Sequence, residues 1–284
     1  MHFILNVIRN ADIQLYYLLC RGHGNWWLDR IASEQESNNL FKSGLLIAIY
    51  WYFWFRKDAG QEERRGSILT IVAATLIGLG VNRVLATALP FRVRPLYDAN
   101  LQHYPLSIPI TDLMDWSSFP SDHAAYLVAL GFGLVCLSRR LTIPVTLYAV
   151  GWICLPRMYL GIHYASDIVV GAGIGVASVW AALRVGWIQS HVASPLVAFA
   201  HEKPQLFYPA AYLVVFEMSS MFWDVRQPTR ALLHAASIGP HHNAIRVGLV
   251  LFGSLCAIGI AASRRFYPSS QRQKEFQSES KSAA

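Results

Sequence analysis

The feature that most constrains this chain is a series of apolar runs, most of them long enough, or nearly so, to cross a lipid bilayer. About 20 mostly apolar residues span the hydrocarbon core as a helix. Only 14% of the 284 residues are charged and 54% are hydrophobic, whereas a soluble domain carries about 25% charged residues. We therefore predict an integral membrane protein of the all-α class, built as a polytopic bundle of transmembrane helices.

The apolar runs predict seven spans, of which five form a core and two follow it. In chain order they are Phe41–Phe55, Ser67–Leu89, Asp122–Leu137, Leu141–Leu160, Tyr164–Leu183, Phe207–Trp223 and Val247–Ala262. The amphipathic residues 1–40 either lie along the membrane interface or form a further short span. The predicted organisation is an N-terminal segment (1–40), a core of about five to six helices (41–184), a C-terminal region (185–263) and a polar cytoplasmic tail (264–284).

The loops between the runs indicate which way the chain crosses the membrane. Short basic loops face the cytoplasm, and Arg56–Gly66 and Ser138–Arg140 are loops of this kind. Ser263–Arg265, after the last run, falls on the same side. The long loop 90–121 and the turn Gly161–His163 are then predicted to face the extracytoplasmic side of the inner, or plasma, membrane.

Charge and cysteine usage exclude two kinds of site. The net charge of +7 comes from Lys and Arg residues at the ends of apolar runs, as expected for loops that face anionic lipid. No basic stripe with interleaved aromatic residues is present, so nucleic acid is not an expected partner. The four cysteines, Cys20, Cys136, Cys154 and Cys256, form no CxxC pair and indicate neither a zinc site nor a disulfide framework.

Polar residues gather in three clusters, all on the predicted extracytoplasmic side. The first cluster, PFRVRP, contains Arg92 and Arg94. These arginines either anchor the chain among lipid headgroups or form a clamp for phosphate oxygens, which the planar guanidinium fits.

The second cluster is PSDH, from Pro120 to His123. Ser118 is the predicted N-cap of the following helix and Pro120 suits its first turn. Such a helix start presents free backbone N–H groups to an anion. His123, in or just after the first turn, is then either a functional group or an interfacial histidine without a role.

The third cluster, PRMYLGIHYASD, contains Arg157, His163 and Asp167 with the spacing R-x5-H-x3-D. Residues four apart share one face of a helix, so Asp167 is predicted to accept the Nδ1–H of His163. That bond would fix the tautomer and leave Nε2 as a nucleophile. The alternative is a structural pair that holds a helix end.

Together, the clusters supply two arginines, two histidines and a carboxylate on one side of the membrane. Phosphoryl transfer through a phosphohistidine needs such a set: a cationic cradle, an oriented nucleophile and a separate acid for the leaving group.

These residues resemble the signature of the type-2 phosphatidic acid phosphatase superfamily of membrane lipid phosphatases. The family pattern is K-x6-R-P, then P-S-G-H, then S-R-x5-H-x3-D. The matches here are Arg94-Pro95, Pro120-Ser121-Asp122-His123, and Arg157, His163 and Asp167. The resemblance covers about Phe41 to Leu183, in the family's order and spacing.

The resemblance implies a role for each matched residue. His163 attacks phosphorus and Asp167 orients it, while His123 protonates the departing oxygen and then activates water. Arg94 and Arg157 hold phosphate oxygens, and Ser121 adds a hydrogen bond. Neither a metal nor another cofactor is implied.

Three positions depart from the family pattern: Thr87 stands at the place of the lysine, Asp122 at that of the glycine and Pro156 at that of the serine. We expect Arg92, rather than Arg83, to supply the missing positive charge. Asp122 is counted with the phosphate-binding residues, although its carboxylate weakens anion binding unless an arginine offsets it.

The stretch SFPSDHA resembles a bacterial subgroup that removes phosphate from undecaprenyl pyrophosphate. The expected function is therefore hydrolysis of a membrane lipid (pyro)phosphate, with this carrier lipid first and phosphatidic acid or phosphatidylglycerophosphate as alternatives. A transporter and a non-catalytic membrane protein are the alternatives from other classes. The expected partners are the lipid substrate and the bilayer, and the sequence leaves the oligomeric state open.

Beyond the core, Glu217 and Asp224 are expected to anchor the end of a span, with Arg226 and Arg230 following. The pair His241–His242 has no carboxylate partners in sequence and is not expected to bind a metal.

Overall fold

The computed structural model describes residues 2–103, 106, 113–114 and 116–224, and every regular element in these ranges is helical. The longer helices are α1 His2–Cys20, α2 Trp26–Ser37, α3 Leu40–Phe55, α4 Gln61–Ala88, α5 Asp122–Gly133, α6 Arg139–Tyr159, α7 Ala165–Val185, α8 Ser194–Glu202 and α9 Pro204–Ser219. Short 3-10 or π segments lie at Pro95–Tyr97, Leu134–Cys136 and Gln189–Ala193, and within α3 and α6. The predicted all-α class is confirmed.

The core helices follow the predicted spans. Within the described ranges, α4, α6 and α7 are long and apolar enough to cross a membrane, with 28, 21 and 21 residues. The shorter apolar helices are α3 and the stretch Asp122–Cys136. The chain is therefore a multi-pass membrane protein, and apart from the start of α4 the observed bounds lie close to the predicted ones.

Helix α4 begins before its predicted span because a charged turn continues the helix out of the apolar region. Asp58 accepts a hydrogen bond from the Gly60 backbone N–H at 3.1 Å and pairs with Arg64 at 2.7 Å. Arg64 also donates to the Phe53 carbonyl at 2.8 Å, which joins the end of α3 to the start of α4. Residues 61–65 are helical but too polar for the bilayer core, so hydropathy alone misses them.

The C-terminal region contains a helix, α8, that the sequence analysis did not predict, followed by α9 over most of the predicted span from Phe207. Glu217 is in the last turn of α9 and Asp224 is exposed five residues beyond it. Several predictions lie outside the described residues: those for Cys256, Val247–Ala262, Ser263–Arg265, the tail 264–284, Arg226, Arg230 and His241–His242.

Helix α5 is the most deeply buried helix of the core and packs closely against α7. A Cβ added at Gly171 would collide with the Ser121 carbonyl oxygen, and one added at Gly175 with the Ala125 carbonyl oxygen. Small residues four apart allow such backbone approach between membrane helices. The GAGIG sequence of α7 (Gly171–Gly175) therefore allows close packing, which fixes the start of α5 beside the start of α7.

Helices α1 and α2 pack against the ends of α6 and α7 that are joined through the turn 161–163. This end of the bundle, where the loop 90–121 also leaves α4 and reaches α5, is here called the site end. The buried Asp29 of α2 accepts hydrogen bonds from the Tyr159 hydroxyl at 2.5 Å and from the Gly24 backbone N–H at 3.1 Å. Asp12 of α1 accepts from the backbone N–H of Ser166 at 2.9 Å. The N-terminal segment is thus bonded to the core by buried carboxylates.

Candidate active site

The three polar clusters lie at the site end, where Arg94 of the first cluster bonds to the third cluster and to the segment just before the second. Its Nη1 donates to the Ile162 carbonyl at 2.8 Å, and its Nε donates to the Trp116 carbonyl at 3.1 Å. Burial, together with the nearby positive charge of Arg157, lowers the pKa of Arg94 to about 10. The guanidinium therefore stays charged at neutral pH and places a positive charge between the loops.

The second cluster forms the start of α5, although its cap differs from the predicted one. Ser121, not Ser118, is the N-cap, with an extended backbone and an Oγ that accepts from the Ala124 N–H at 3.5 Å. Pro120 accordingly precedes the cap instead of lying in the first turn. The prediction was wrong because α5 begins only at Asp122, and the Ser118 carbonyl instead accepts from His163. His123 is the second residue of α5 and so lies in its first turn.

His163 is held by the backbone of the second cluster. Its Nδ1 lies 2.8 Å from the Ser118 carbonyl oxygen and 3.6 Å from Oδ2 of Asp167. A carbonyl oxygen only accepts, so Nδ1 carries the proton and Nε2 has the free lone pair. The predicted interaction with Asp167 is present only as this longer contact and is not made within one helix, because α7 begins at Ala165 and His163 precedes it.

The surroundings of His163 favour its neutral form. The side chain is 5% exposed, and burial is the largest effect that lowers its pKa. The positive charges of Arg94 and Arg157 lower it further, while Asp167 acts in the opposite direction. A neutral imidazole with its lone pair on Nε2 is the state that a nucleophile needs.

Asp167 is at the centre of a buried ionic network. Its Oδ2 accepts from the Tyr164 backbone N–H at 2.8 Å, and its Oδ1 lies 2.5 Å from Nη1 of Arg92. The other terminal nitrogen of Arg92 lies 2.7 Å from Oδ2 of Asp12. Arg92 therefore joins two carboxylates, from α1 and α7. Its guanidinium was expected to replace the charge of the family's lysine and is instead occupied by these carboxylates.

The unusual carboxylate of Asp122 is neutralised by α4. Arg83 forms an ion pair with Asp122, and Nδ2 of the fully buried Asn82 donates to Oδ1 of Asp122 at 2.7 Å. The offsetting arginine that the sequence analysis required is thus Arg83. Thr87, one helical turn further on, is half-buried and donates to the Val84 carbonyl of its own helix at 2.9 Å.

Arg157 is 4% exposed and binds an acidic residue that the sequence analysis did not single out. Both terminal nitrogens reach the Glu36 carboxylate, with Nη2–Oε1 at 2.8 Å and Nη1–Oε2 at 2.5 Å. The Nη2–Oε1 contact is a hydrogen bond, whereas the Nη1–Oε2 contact is an ion pair without hydrogen-bond geometry. A guanidinium binds carboxylate and phosphate oxygens alike. The acidic partners Glu36 and Asp12 both come from the N-terminal segment.

The described part of the chain contains no group of three or more His, Cys, Asp or Glu residues placed to hold a metal ion. Cys20, Cys136 and Cys154 are free thiols.

Fold and site together define a multi-pass helical membrane protein with a buried histidine and several cationic side chains at one end of its bundle. Residues 67–190 match the family model of the PAP2 superfamily. This match contains the three clusters and agrees with the family resemblance of the motifs.

Two curated proteins are similar to the chain. The bacitracin transport permease protein BcrC of Bacillus licheniformis is 27% identical over 161 residues, which make up 57% of this chain and 69% of that protein. The lipid A 4'-phosphatase of Bacteroides thetaiotaomicron is 44% identical over 82 residues, 28% of this chain and 33% of that protein. No solved structure matches the chain.

Proposed function

We propose that the protein is a lipid phosphatase that hydrolyses a membrane lipid (pyro)phosphate at the extracytoplasmic face, through a phosphohistidine on His163. The preferred substrate in this proposal is undecaprenyl pyrophosphate, which would yield undecaprenyl phosphate. The observation that carries the proposal is the buried, neutral His163, oriented by the Ser118 carbonyl and close to the charges of Arg94 and Arg157. A relative named as a lipid A 4'-phosphatase supports a lipid phosphate as substrate.

In the first step, Nε2 of His163 attacks the terminal phosphorus while Arg94, Arg157 and Ser121 bind its oxygens. A P–N bond forms, the bond from phosphorus to the leaving oxygen breaks, and His123 gives that oxygen a proton. Asp167 stabilises the positive charge that develops on the imidazole. Developing charge on the phosphoryl oxygens is stabilised by the fixed guanidinium groups.

In the second step, His123 removes a proton from water as the water attacks the phosphohistidine. The P–O bond forms, the P–N bond breaks, inorganic phosphate leaves and both histidines return to their starting state. Arg92 is a positioning residue in this proposal, because it acts through Asp167. Asp122, paired with Arg83, shapes the start of α5 without adding net charge.

The test is a substrate panel with the purified full-length protein in detergent. Phosphate release is measured from undecaprenyl pyrophosphate, phosphatidic acid and phosphatidylglycerophosphate, each with and without EDTA. The proposal expects turnover of at least one lipid, fastest with the first, and no effect of EDTA. His163→Ala should abolish turnover, whereas His191→Ala, at an exposed histidine outside the site, should not.

Transport is the second candidate, because one relative is named as a transport permease. A transport path needs ionisable residues near the span centres. The buried charges of the described membrane helices instead lie near the helix ends, for example Lys42, Arg65, Arg157 and Asp167. Substrate uptake by proteoliposomes that persists in His163→Ala, without any phosphate release by the wild type, would favour transport over hydrolysis.

A further inference from the structure

The contact between Glu36 and Arg157 places a carboxylate where a phosphate would bind the guanidinium. Both Glu36 oxygens lie within 2.8 Å of the terminal nitrogens of Arg157. Arg157 lies six residues before His163 in the chain, and the backbone N–H of His163 donates to the Arg157 carbonyl at 3.3 Å. The charge of Arg157 also acts on the His163 imidazole, so an anion bound in place of Glu36 would lie near the proposed nucleophile.

A second buried cation lies beside this pair. Lys42, in the first turn of α3, is 8% exposed, and its ammonium donates to the Glu36 backbone carbonyl at 2.8 Å. Its charge interacts with those of both Glu36 and Arg157. An ammonium group has three donors and is costly to bury beside a neutral carbonyl, so the location of Lys42 favours a further anionic partner.

Neighbouring polar atoms are also left without protein partners. Gln35 is 2% exposed, and within the described residues neither its Nε2 nor its Oε1 has a hydrogen-bond partner. The same is true of Nε of Arg157 and Oγ of Ser118. Buried polar groups are nearly always hydrogen-bonded, so these atoms are consistent with a ligand that offers several oxygen atoms.

We propose that Glu36 and Lys42 belong to the phosphate site of this protein. Glu36 is an internal anion that holds Arg157 until the substrate phosphate displaces it, and Lys42 then binds that phosphate together with Arg157. This inference rests on the proposed function and adds to it a cation from α3, outside the three motif clusters. Thr87 stands at the position of the family's lysine but has no charge, and Arg83 and Arg92 are already paired to carboxylates. Lys42 thus supplies the positive charge that this lysine would provide.

The test uses the full-length protein in detergent and inorganic phosphate as the probe, at matched ionic strength. Phosphate is measured as an inhibitor of lipid hydrolysis and as a stabiliser in thermal unfolding, since a ligand that binds only the folded state raises Tm. Glu36→Gln removes the internal competitor, so the inhibition constant of phosphate and KM should both fall about three- to tenfold. Its Tm should fall without phosphate and rise more steeply with phosphate than that of the wild type.

Lys42→Met removes one charge-assisted hydrogen bond to phosphate, so the inhibition constant and KM should rise about tenfold or more. Glu34→Gln and Lys57→Met are matched controls, at exposed residues of the same types outside the site, and should behave as the wild type. A purely structural Glu36 predicts the opposite result for Glu36→Gln: a lower Tm, no larger phosphate shift and weaker phosphate binding.

The outcomes separate this inference from the proposed function. If the wild type hydrolyses a lipid phosphate but phosphate binding is unchanged in Glu36→Gln or Lys42→Met, this inference is wrong and the proposed function stands. If no lipid is hydrolysed but phosphate stabilises the variants in the expected order, the site is right and the activity is wrong. If phosphate has no effect on the Tm of any of the proteins, the inference is overturned.

Discussion

At the residue scale, His163 combines a fixed tautomer with an environment that opposes protonation. The Ser118 carbonyl takes its Nδ1–H, while burial and two arginines lower its pKa. Asp167 raises the pKa again, through the contact of its Oδ2 with Nδ1 at 3.6 Å and through its charge, while its oxygens are also bonded to the Tyr164 N–H and to Arg92. These separate roles of the carbonyl and the carboxylate can be tested by a change that removes the charge alone.

The first prediction concerns the pH profile of hydrolysis. Because the pKa of His163 is lowered, kcat/KM should rise with pH and reach its plateau with an acid-limb inflection below about 6.5, the ordinary value for histidine. Asp167 raises the pKa of His163, so Asp167→Asn should move the inflection to lower pH while reducing kcat about 100-fold. An inflection that moves to higher pH in this variant would contradict the assignment.

The second prediction concerns the pair of Arg83 and Asp122. Arg83→Met leaves the Asp122 carboxylate uncompensated beside the phosphate site, so KM should rise about tenfold, or ~1.4 kcal/mol of binding free energy. Adding Asp122→Asn removes the repulsion and should restore most of the loss. If Arg83 instead binds phosphate directly, the double variant will be as impaired as the single one in the same steady-state assay.

At the scale of the helices, the contact between α5 and α7 aligns the second and third clusters. The backbone N–H of Ser121 donates to the Asp167 carbonyl at 3.0 Å, so the two helix starts are joined directly. Gly171 and Gly175 leave no room for a Cβ at this contact, whereas a Cβ at Gly173 on the same helix meets nothing within 4 Å.

The third prediction follows from this difference. Gly171→Ala and Gly175→Ala force backbone against side chain, and each should cost about 1–3 kcal/mol of stability. Gly171→Ala should also reduce turnover, because it displaces Ser121 and the first turn with His123. Gly173→Ala is the control and should leave both quantities close to wild type. Thermal unfolding in detergent and phosphate release measure them, and equal Tm values for all three variants would exclude tight packing.

At the scale of the whole molecule, the direction in which the helices cross the membrane determines on which face the site lies. The basic stretch Arg56–Gly66 contains the loop between α3 and α4 and the first residues of α4, at the end of α4 opposite to the site end. The site end carries the loop from Pro90 onward and the N-terminal helices. The predicted orientation places the first of these ends in the cytoplasm and the second outside.

The fourth prediction tests this orientation. In a background with the native cysteines replaced, Asn100→Cys should react with a membrane-impermeant maleimide in intact cells, and Lys57→Cys should react only after the cells are opened. Both positions are exposed, so access to the reagent depends on the side of the membrane. The reverse labelling pattern would place the site on the cytoplasmic side and contradict the proposed substrate access.

Much of the fold could be predicted because hydropathy is a local property. The five core spans were found from apolar runs alone, while the charged first turn of α4 and the helix α8 were missed because neither is a long apolar run. Within the site, the spacing identified His163, Asp167, Arg94 and Arg157. It misassigned the N-cap and the partner of Nδ1, since both depend on where α5 and α7 begin relative to each other.

The sequence by itself determined the helical class, the membrane spans and the motif residues, because periodicity, run length and spacing are all written along the chain. Only the tertiary structure decided the charge pairing: Arg83 with Asp122, Arg92 with Asp12 and Asp167, and Arg157 with Glu36. Each pair joins residues far apart in the chain. The packing of α1, α2 and α4 decides which carboxylates lie close to which arginines, and so which cations remain available for phosphate. No local sequence pattern encodes these distances.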